Sequence, residues 1–533
     1  MPKSNVIKID DYFNQSSQPN LRTYFGRVVK GQPEVYDTPF AKGETTSELL
    51  DAWKEVLESI DREWPTLVEF ENDLRSKVGP LSVEVPLSER MDDIESYYTS
   101  ILLDSEPIDR RAVLAVIDQW SAARGLRLRG VERTVEQMKK STNSGSPYFT
   151  KRRNVVSDTI PFTLEHINEE TTQRLPRFDG KCCAVLGWRG QEGGPSKDDV
   201  KQRVVWMFPF AINIGELRCY QPLIEAAQKF SIVPAWVSMD AVDRRITNLF
   251  DSKSNSDLIV CTDFSKFDQH FNSNMQLCAR EVLNGIFTHD VAYTDWTENV
   301  FPIKYDIPLM YNYGLIRRGK HGMGSGSGGT NADETLAHSA LQFEAAIRSG
   351  QRLNPNSQCL GDDGILTYPK ITVEDVVKAY SSHGMEMNAD KQYASPNDCV
   401  YLRRWHHKNY RVGGICVGVY STYRALGRLR YLERYQDPEY WGPEAVALRQ
   451  LSIIENVKYH PLANQFAEFC MKRDKYRLGI DIPGFLDNIE AKVVELMDHM
   501  PDFMGYTKTL QSEKDPSYGI KSWWIYRYLK SKS

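Results

Sequence analysis

The chain has 533 residues, 41% hydrophobic and 11% aromatic, enough apolar surface for a large core shared among several subdomains. No run approaches the roughly 18 apolar residues of a membrane span, and residues 1–13, carrying Lys3, Lys8, Asp10 and Asp11, lack the apolar stretch of a secretory signal, so a soluble globular protein with no membrane partner is expected. The net charge of −5 argues against a nucleic-acid binder, and nine cysteines without a C-x-x-C pair or zinc-type spacing exclude a zinc module and point to reduced thiols.

Locally the charge runs the other way. Basic clusters stand at Lys139-Lys140, Lys151-Arg152-Arg153, Arg317-Arg318-x-Lys320-His321, Arg403-Arg404-x-His406-His407-Lys408 and across 424–434, while acids gather in stretches such as 44–74. Each cluster alone is as readily a solvated face as a ligand surface. Together they allow an internal basic channel inside an acidic shell.

Along the chain, Leu49, Trp53, Val56, Leu57, Ile60 and Trp64 recur at the helical period over 45–64, with Thr45-x-x-Glu48 as a capping box and Pro65 as the stop. Residues 141–210, rich in Gly, Ser, Pro and basic side chains, read as long irregular connections that touch a ligand. Leu258-Ile259-Val260-Cys261-Thr262 reads as a buried strand ending at Asp263. A second acid, Asp268, follows five positions on, and Asn272 or Ser273 then caps a helix with Met275, Cys278, Val282 and Ile286 on one face. By itself an Asp after a core strand is more often a turn cap than a catalyst.

Residues 319–329 hold six glycines in eleven positions and run into a helix over 331–347, with Leu336, Ala340, Phe343 and Ile347 on its apolar face and Asn331-x-x-Glu334 as a cap. Such a loop exposes backbone N–H groups suited to phosphates or the sugar edge of a nucleotide, and flexible linkers rarely feed straight into a helix. Gln358-Cys359-Leu360 and Ile365-Leu366-Thr367-Tyr368 flank Gly361-Asp362-Asp363-Gly364, the pattern of a β-hairpin. A turn has no structural need for two adjacent, mutually repelling carboxylates. Brought beside Asp263, they would make a three-carboxylate site suited to two Mg²⁺ ions about 3.5 to 4 Å apart. Beyond residue 416 the chain turns helical, over 442–454, 461–475 and 487–500, as a separate domain would.

Asp263-x-x-x-x-Asp268, then Ser325-Gly326-x-x-x-Thr330, then Gly361-Asp362-Asp363 resembles, in order and spacing, the A, B and C motifs of viral RNA-dependent RNA polymerases. Ser144-Gly145-Ser146-Pro147-Tyr148-Phe149, the word over 322–331 and Tyr401-Leu-Arg-Arg-Trp405 look like the picobirnavirus polymerases, and the resemblance spans nearly the whole chain. It implies an α/β (α+β) right hand with a palm of antiparallel sheet plus helices. An N-terminal extension (1–100) would bridge fingers (101–240) and a helical thumb with the C-terminal segment (416–533), around a palm over 241–415.

On that resemblance Asp263 and Asp362 are metal ligands, Asp363 supports them, and the cofactor is Mg²⁺ with Mn²⁺ as a substitute. Asp268 senses the ribose hydroxyls, and Ser325, Gly326, Thr330 and Asn331 belong to the loop that senses the nascent base pair. Lys201 and Arg203, joined by Arg189, grip the triphosphate. Lys391 protonates leaving pyrophosphate, or is a surface lysine. Ser144, Gly145, Pro147, Arg403 and Arg404 meet RNA. The sequence departs from the pattern at Glu334, where many relatives carry Asn, which leaves Asn331 and Thr330 as candidate partners of Asp268.

The implied reaction joins NTPs to an RNA 3′-end on an RNA template, with initiation independent of a primer as the expectation. The aromatic, basic tail Lys521-Ser-Trp-Trp-Ile-Tyr-Arg527 is either a stacking platform for an initiating nucleotide or a helix docked on the thumb. A reverse transcriptase would place a bulky side chain at the position of Asp268. A packaging protein that had lost catalysis would be expected to lack one of the acids, and a nuclease or phosphatase does not explain the Gly-rich loop and basic segment in this order. The resemblance further implies a monomer working inside a double-stranded RNA virus particle and in host cytoplasm, with capsid protein as a partner.

Overall fold

The apolar run before Asp263 forms the strand Ile259–Thr262, buried along its whole length in the middle of a four-stranded antiparallel sheet. The computed structural model describes residues 4–13, 20–500 and 519–533. Across this sheet the order is Gln358–Leu360, Asp363–Leu366, Ile259–Thr262 and Tyr393–Ser395. Side chains alternate between its faces. Val260 joins a large core with the helices Ser273–Ile286 and Thr330–Arg348, whereas Ile259 and Cys261 pack with Val242, Ile246 and Leu249 of the helix Met239–Ser252. Asn272 is the N-cap of Ser273–Ile286, its side chain accepting from the N–H groups of Asn274 and Met275.

A second, five-stranded sheet runs Ser4–Val6, Leu315–Arg317, Leu309–Asn312, Ala184–Gln191, Lys201–Met207. Residues 141–210, read from the sequence as loops, therefore carry two long strands of this sheet, and a three-stranded sheet (Thr163–Ile167, Glu170–Arg174, Asp179–Lys181) besides. The latter strands are polar on their open face. Only Leu164 of Thr163–Ile167 is fully buried, so no apolar alternation announces them.

The N-terminal residues serve two cores. Tyr12, Phe13, Phe25 and Val28 enter the core of the five-stranded sheet, while Leu49, Trp53, Leu67 and Phe70 pack with Leu426, Leu448, Phe466 and Phe485 of the C-terminal helices. The helix expected over 45–64 forms as Thr46–Leu57 and a 3₁₀ turn, Glu58–Ile60, with the Thr45 hydroxyl accepting from the N–H of Glu48. Pro65 does not stop a helix but starts one, Pro65–Arg75, at a position where a missing N–H costs nothing. Pro443–Glu455, Ala463–Lys472 and Ile489–Leu496 form the C-terminal helical domain, onto which the tail docks as Trp524–Lys532. Trp523, Ile525 and Leu529 are buried there, and the Trp524 indole N–H donates to Asn464. Of the two readings of the tail, the docked helix is the one observed. No helix among the described residues is long and apolar enough to cross a membrane, and all nine cysteines are buried free thiols.

Two groups assigned to RNA from sequence lie in the interior. Arg404 is buried and bidentate on Asp243, at 2.9 and 3.0 Å, because its place in the strand Arg404–His407 turns it toward the Met239–Ser252 helix. Ser144, Gly145 and Pro147 are also buried. The Ser144 hydroxyl accepts from the N–H of Thr150, and Gly145 has φ +60° where a Cβ would stand 2.6 Å from Phe208 O. Removing Arg404 would strand a buried carboxylate. Arg404→Ala should therefore lower the unfolding free energy by about 3 to 5 kcal/mol in urea titrations, whereas Arg403→Ala, on the open side of the same turn, should cost no more than about 1 kcal/mol.

Candidate active site

The pairing of Ile259–Thr262 with Asp363–Leu366 sets Thr262 opposite Gly364 and Cys261 opposite Ile365. One step further along that register stands Asp263 across from Asp363, with Asp362 beside them in the two-residue turn closed by Leu360 and Asp363. Three sequence-selected acids are thus gathered at one sheet edge. The turn is held from below: the Gly361 N–H donates to the Thr335 hydroxyl at 2.9 Å, and His338 Nδ1–H donates to Gly361 O at 2.8 Å. Gly361 has φ +58°, which disfavours a side chain. Gln392, which the sequence reading passed over, clamps the backbone of Asp263 from both sides, accepting from its N–H at 2.7 Å and donating to its carbonyl at 2.8 Å.

The acids differ in surroundings. Asp263 and Asp362 are exposed, and neither has an ion-pair partner at contact distance among the described residues. Desolvation by the cleft walls, and the charge of Asp362, raise the Asp263 carboxyl, while Lys77, Lys201 and Lys391 pull it down. Asp363 is half-buried and accepts from the N–H of Leu402 at 2.8 Å. Desolvation first, then Asp362, push its carboxyl up to about 7. Negative charge is thus disfavoured here until a cation arrives. No three such side chains among the described residues close into a complete metal cage. An open, all-oxygen edge of this kind suits Mg²⁺, which keeps water and takes one or two carboxylates together with substrate phosphates.

The basic strand lies opposite. In Lys201–Met207 the alternation exposes Lys201 and Arg203 on one face. Desolvation lowers the Lys201 ammonium, and the charges of Arg203, Lys77 and Arg403 lower it further, so four cations share that space. Lys77, supplied by the N-terminal segment, has no signal in the sequence beyond being a lysine. Arg189 is paired across the strands with Arg203, but its guanidinium is engaged by Glu433 at 2.8 Å. Lys391 is exposed in the 3₁₀ turn Ala389–Lys391. Leu402 and Arg403 both take positive φ in the tight turn between Asp398–Tyr401 and Arg404–His407, a strained geometry for non-glycine residues. Arg403, Arg424 and Arg428 surround Glu192, at 3.6, 2.9 and 3.5 Å. Although burial opposes it, Arg428 and Arg424 hold the Glu192 carboxyl down at about 2.

The Gly-rich loop is seated on buried charge. The Ser325 hydroxyl donates to Val204 O at 3.1 Å, and Gly326 lies so close to the basic strand that a Cβ would stand 1.5 Å from Trp206 O. Glu216 accepts from the Gly328 N–H at 3.1 Å and from the Ser327 hydroxyl, and the Thr330 hydroxyl donates back to Gly324 O. Beneath, fully buried Asp333 accepts from the hydroxyls of Tyr220 and Tyr305, at 2.7 and 2.6 Å, and pairs with buried Lys304 at 3.0 Å. The cap expected at Asn331-x-x-Glu334 does not form. Helix Thr330–Arg348 begins after Gly329 without a side-chain cap, Asn331 accepts from the Trp236 indole, and Glu334 turns to Asp268. Glu334 itself, rather than Asn331 or Thr330, is thus the side chain against Asp268.

Acids at a strand end and hairpin turn, a Gly-rich loop opening a helix and a basic strand across the cleft together define a right-hand, template-directed polymerase. The profile of the viral RNA-dependent RNA polymerases matches residues 118–414, and the chain belongs to this family. It is 60% identical over 525 residues, 98% of each chain, to a potential RNA-dependent RNA polymerase of human picobirnavirus. It is 58% identical to the crystal structure of the RNA-dependent RNA polymerase of a human picobirnavirus, with a TM-score of 0.93 and 98% of each chain covered. The insertion-loop deletion mutant of such a polymerase matches with a TM-score of 0.92 over the same shares, also at 58% identity.

The contact at Gly326 leaves no room for a methyl group. Gly326→Ala should displace the loop by about an ångström and lower RNA synthesis by about a hundredfold, with a lowered thermal midpoint, because the displaced loop disturbs the buried Glu216 beneath it.

Proposed function

We propose that this RNA-dependent RNA polymerase acts by two-metal nucleotidyl transfer at Asp263, Asp362 and Asp363. The observation that carries the reading is the register that sets Asp263 opposite Asp363 with Asp362 in the adjoining turn. Asp263 and Asp362 would hold Mg²⁺, or Mn²⁺ in its place, with Asp363 in support. Such ions, when bound, activate an attacking 3′-hydroxyl and stabilise departing pyrophosphate.

The protein's own groups then do the positioning. Lys201 and Arg203 meet the triphosphate, with Lys77 beside them and Arg189 steadying the strand through Glu433. Lys391, near enough for its charge to reach Asp263, delivers a proton to leaving pyrophosphate. Asp268 accepts from the ribose, and Ser325, Gly326, Thr330 and Asn331 orient sugar and template base through a loop that its buried anchors keep rigid. Arg403, standing over the strained turn, guides the RNA backbone. Fingers over 101–240, a palm over 241–415 and a thumb with C-terminal segment over 416–533 accord with these placements. In this reading the N-terminal extension 1–100 bridges fingers and thumb, which is supported by its described residues entering both cores.

Similarity to the human picobirnavirus polymerases supports replication and transcription of a double-stranded RNA genome by a monomer. It would act inside the virion and in host cytoplasm, with capsid protein as partner. Unprimed initiation rests on that similarity alone, since the aromatic tail is docked.

The test is template-directed incorporation of labelled NTPs on primed and unprimed single-stranded RNA with Mg²⁺. Asp362→Asn should cost several kcal/mol, about a thousandfold in rate, and Arg203→Ala should raise KM for NTPs about tenfold while changing kcat less. Full activity in Asp362→Asn would discard the metal assignment, and synthesis confined to the primed template would discard unprimed initiation.

A further inference from the structure

Glu334 is 5% exposed, lies against the carboxyl of Asp268, and forms no ion pair with any described residue. Its Oε2 is buried without a hydrogen-bond partner. Of the nearby cations, Lys304 is paired with Asp333, and Arg203 acts on Asp268 rather than on Glu334. Two ionised carboxyls facing each other in such a place would repel strongly, so the arrangement is stable only with a proton between them. We propose that Glu334 is a specificity-determining positioning residue, a neutral carboxylic acid that donates a hydrogen bond to Asp268 and leaves the second Asp268 oxygen free to accept from a ribose hydroxyl of the incoming nucleotide. The inference rests on the reading of Asp268 as the ribose acceptor.

The electrostatic surroundings agree on which partner keeps the proton. Burial, followed by the charge of Asp268 and the hydrogen bond to it, drives the Glu334 carboxyl well above the usual range. Burial raises Asp268 too, with Asp362 adding to the rise, but the hydrogen bond from Glu334 and the charge of Arg203 pull it back. The other groups around the pair are Asp333, held by Tyr220, Tyr305 and Lys304, and the phenols of Tyr97 and Tyr305, both pushed far up by burial and so neutral. Tyr220, Tyr305 and Lys304 are all engaged by Asp333, so none of these three replaces Glu334 as the donor to Asp268. An amide at this position donates at every pH, whereas a carboxyl donates only while protonated. Raising the pH removes the shared proton, sets two carboxylates against each other and turns Asp268 away from the sugar. Discrimination between ribose and deoxyribose should then weaken, because a 2′-deoxy sugar differs only in lacking the hydroxyl that Asp268 reads.

The measurement is the ratio of kcat/KM for an NTP to that for its 2′-dNTP, from single-nucleotide incorporation on a primed RNA template, between about pH 6.5 and 9.5. Taking a ratio cancels the pH dependence of the chemical step and of overall activity. The parent protein should lose about tenfold in the ratio across this interval. Glu334→Gln, nearly isosteric and always a donor, should keep a flat, high ratio, and Glu334→Ala should be low throughout. A flat ratio in the parent, or a Glu334→Gln profile that follows the parent, would overturn the proposal. Asp268→Ala separates the two levels of the argument: discrimination that survives it removes the ribose reading and this inference together. Loss in Asp268→Ala with Glu334→Ala unchanged removes the inference alone.

Discussion

Everything at the catalytic edge depends on the antiparallel register between Ile259–Thr262 and Asp363–Leu366. A slip of one residue would send Asp363 to the opposite face and leave Asp263 facing a glycine. The register is strongly specified because both faces of the sheet are buried, Val260 against one core and Ile259 with Cys261 against another. Polar clamps then refine what packing sets: Gln392 on the backbone of Asp263, His338 and Thr335 on Gly361, Leu402 on Asp363. The acids are presented by rigid backbone, with their charge opposed by burial and partly offset by Lys77, Lys201 and Lys391.

The loop facing them is rigid for a different reason. A loop with six glycines in eleven positions has little intrinsic order, and its position comes from buried charge beneath it. Burial pushes the Glu216 carboxyl up to about 7 despite Lys304, the Ser327 hydroxyl and the Gly328 N–H. Asp333 gathers two phenols and one ammonium. Burying such groups is costly unless their polar atoms are satisfied, and here the donors come from the loop itself and from two other segments, which supply Tyr220 and Lys304 with Tyr305. The loop cannot move without exposing or orphaning them. Close backbone approach at Gly326 adds steric definition.

The N-terminal chain ties the two halves together. Residues 4–13 and 20–28 complete the five-stranded sheet and its core, residues 40–78 belong to the core of the C-terminal helices, and Lys77 stands where the second of these stretches ends, beside Asp263. Glu192, at the far end of Ala184–Gln191, fastens the same junction through Arg403, Arg424 and Arg428. One half-buried carboxylate against three guanidiniums leaves a positive surplus, in a chain whose net charge is −5. Local placement of charge, rather than its sum, is what suits this protein to a polyanionic substrate.

What the sequence by itself determined is local: the strand that ends at Asp263, the capped helix after it, the Asp-bearing hairpin turn, the Gly-rich loop entering a helix, and the order of these along the chain. Periodicity and turn chemistry act over a few residues, so these elements were legible. Polar two-faced strands within 141–210 were not, because their alternation carries no apolar signal. Tertiary structure alone decided burial and partnership. Arg404 and Arg403 are adjacent and chemically identical, yet one is sealed against Asp243, 161 residues away, and the other is part-exposed beside Glu192. Gln392 meets Asp263 across 129 residues, and Glu334 turned from an expected helix cap to Asp268. Whether a charged side chain is a structural bond or a free group depends on which distant segment folds against it, and no local window of sequence contains that segment.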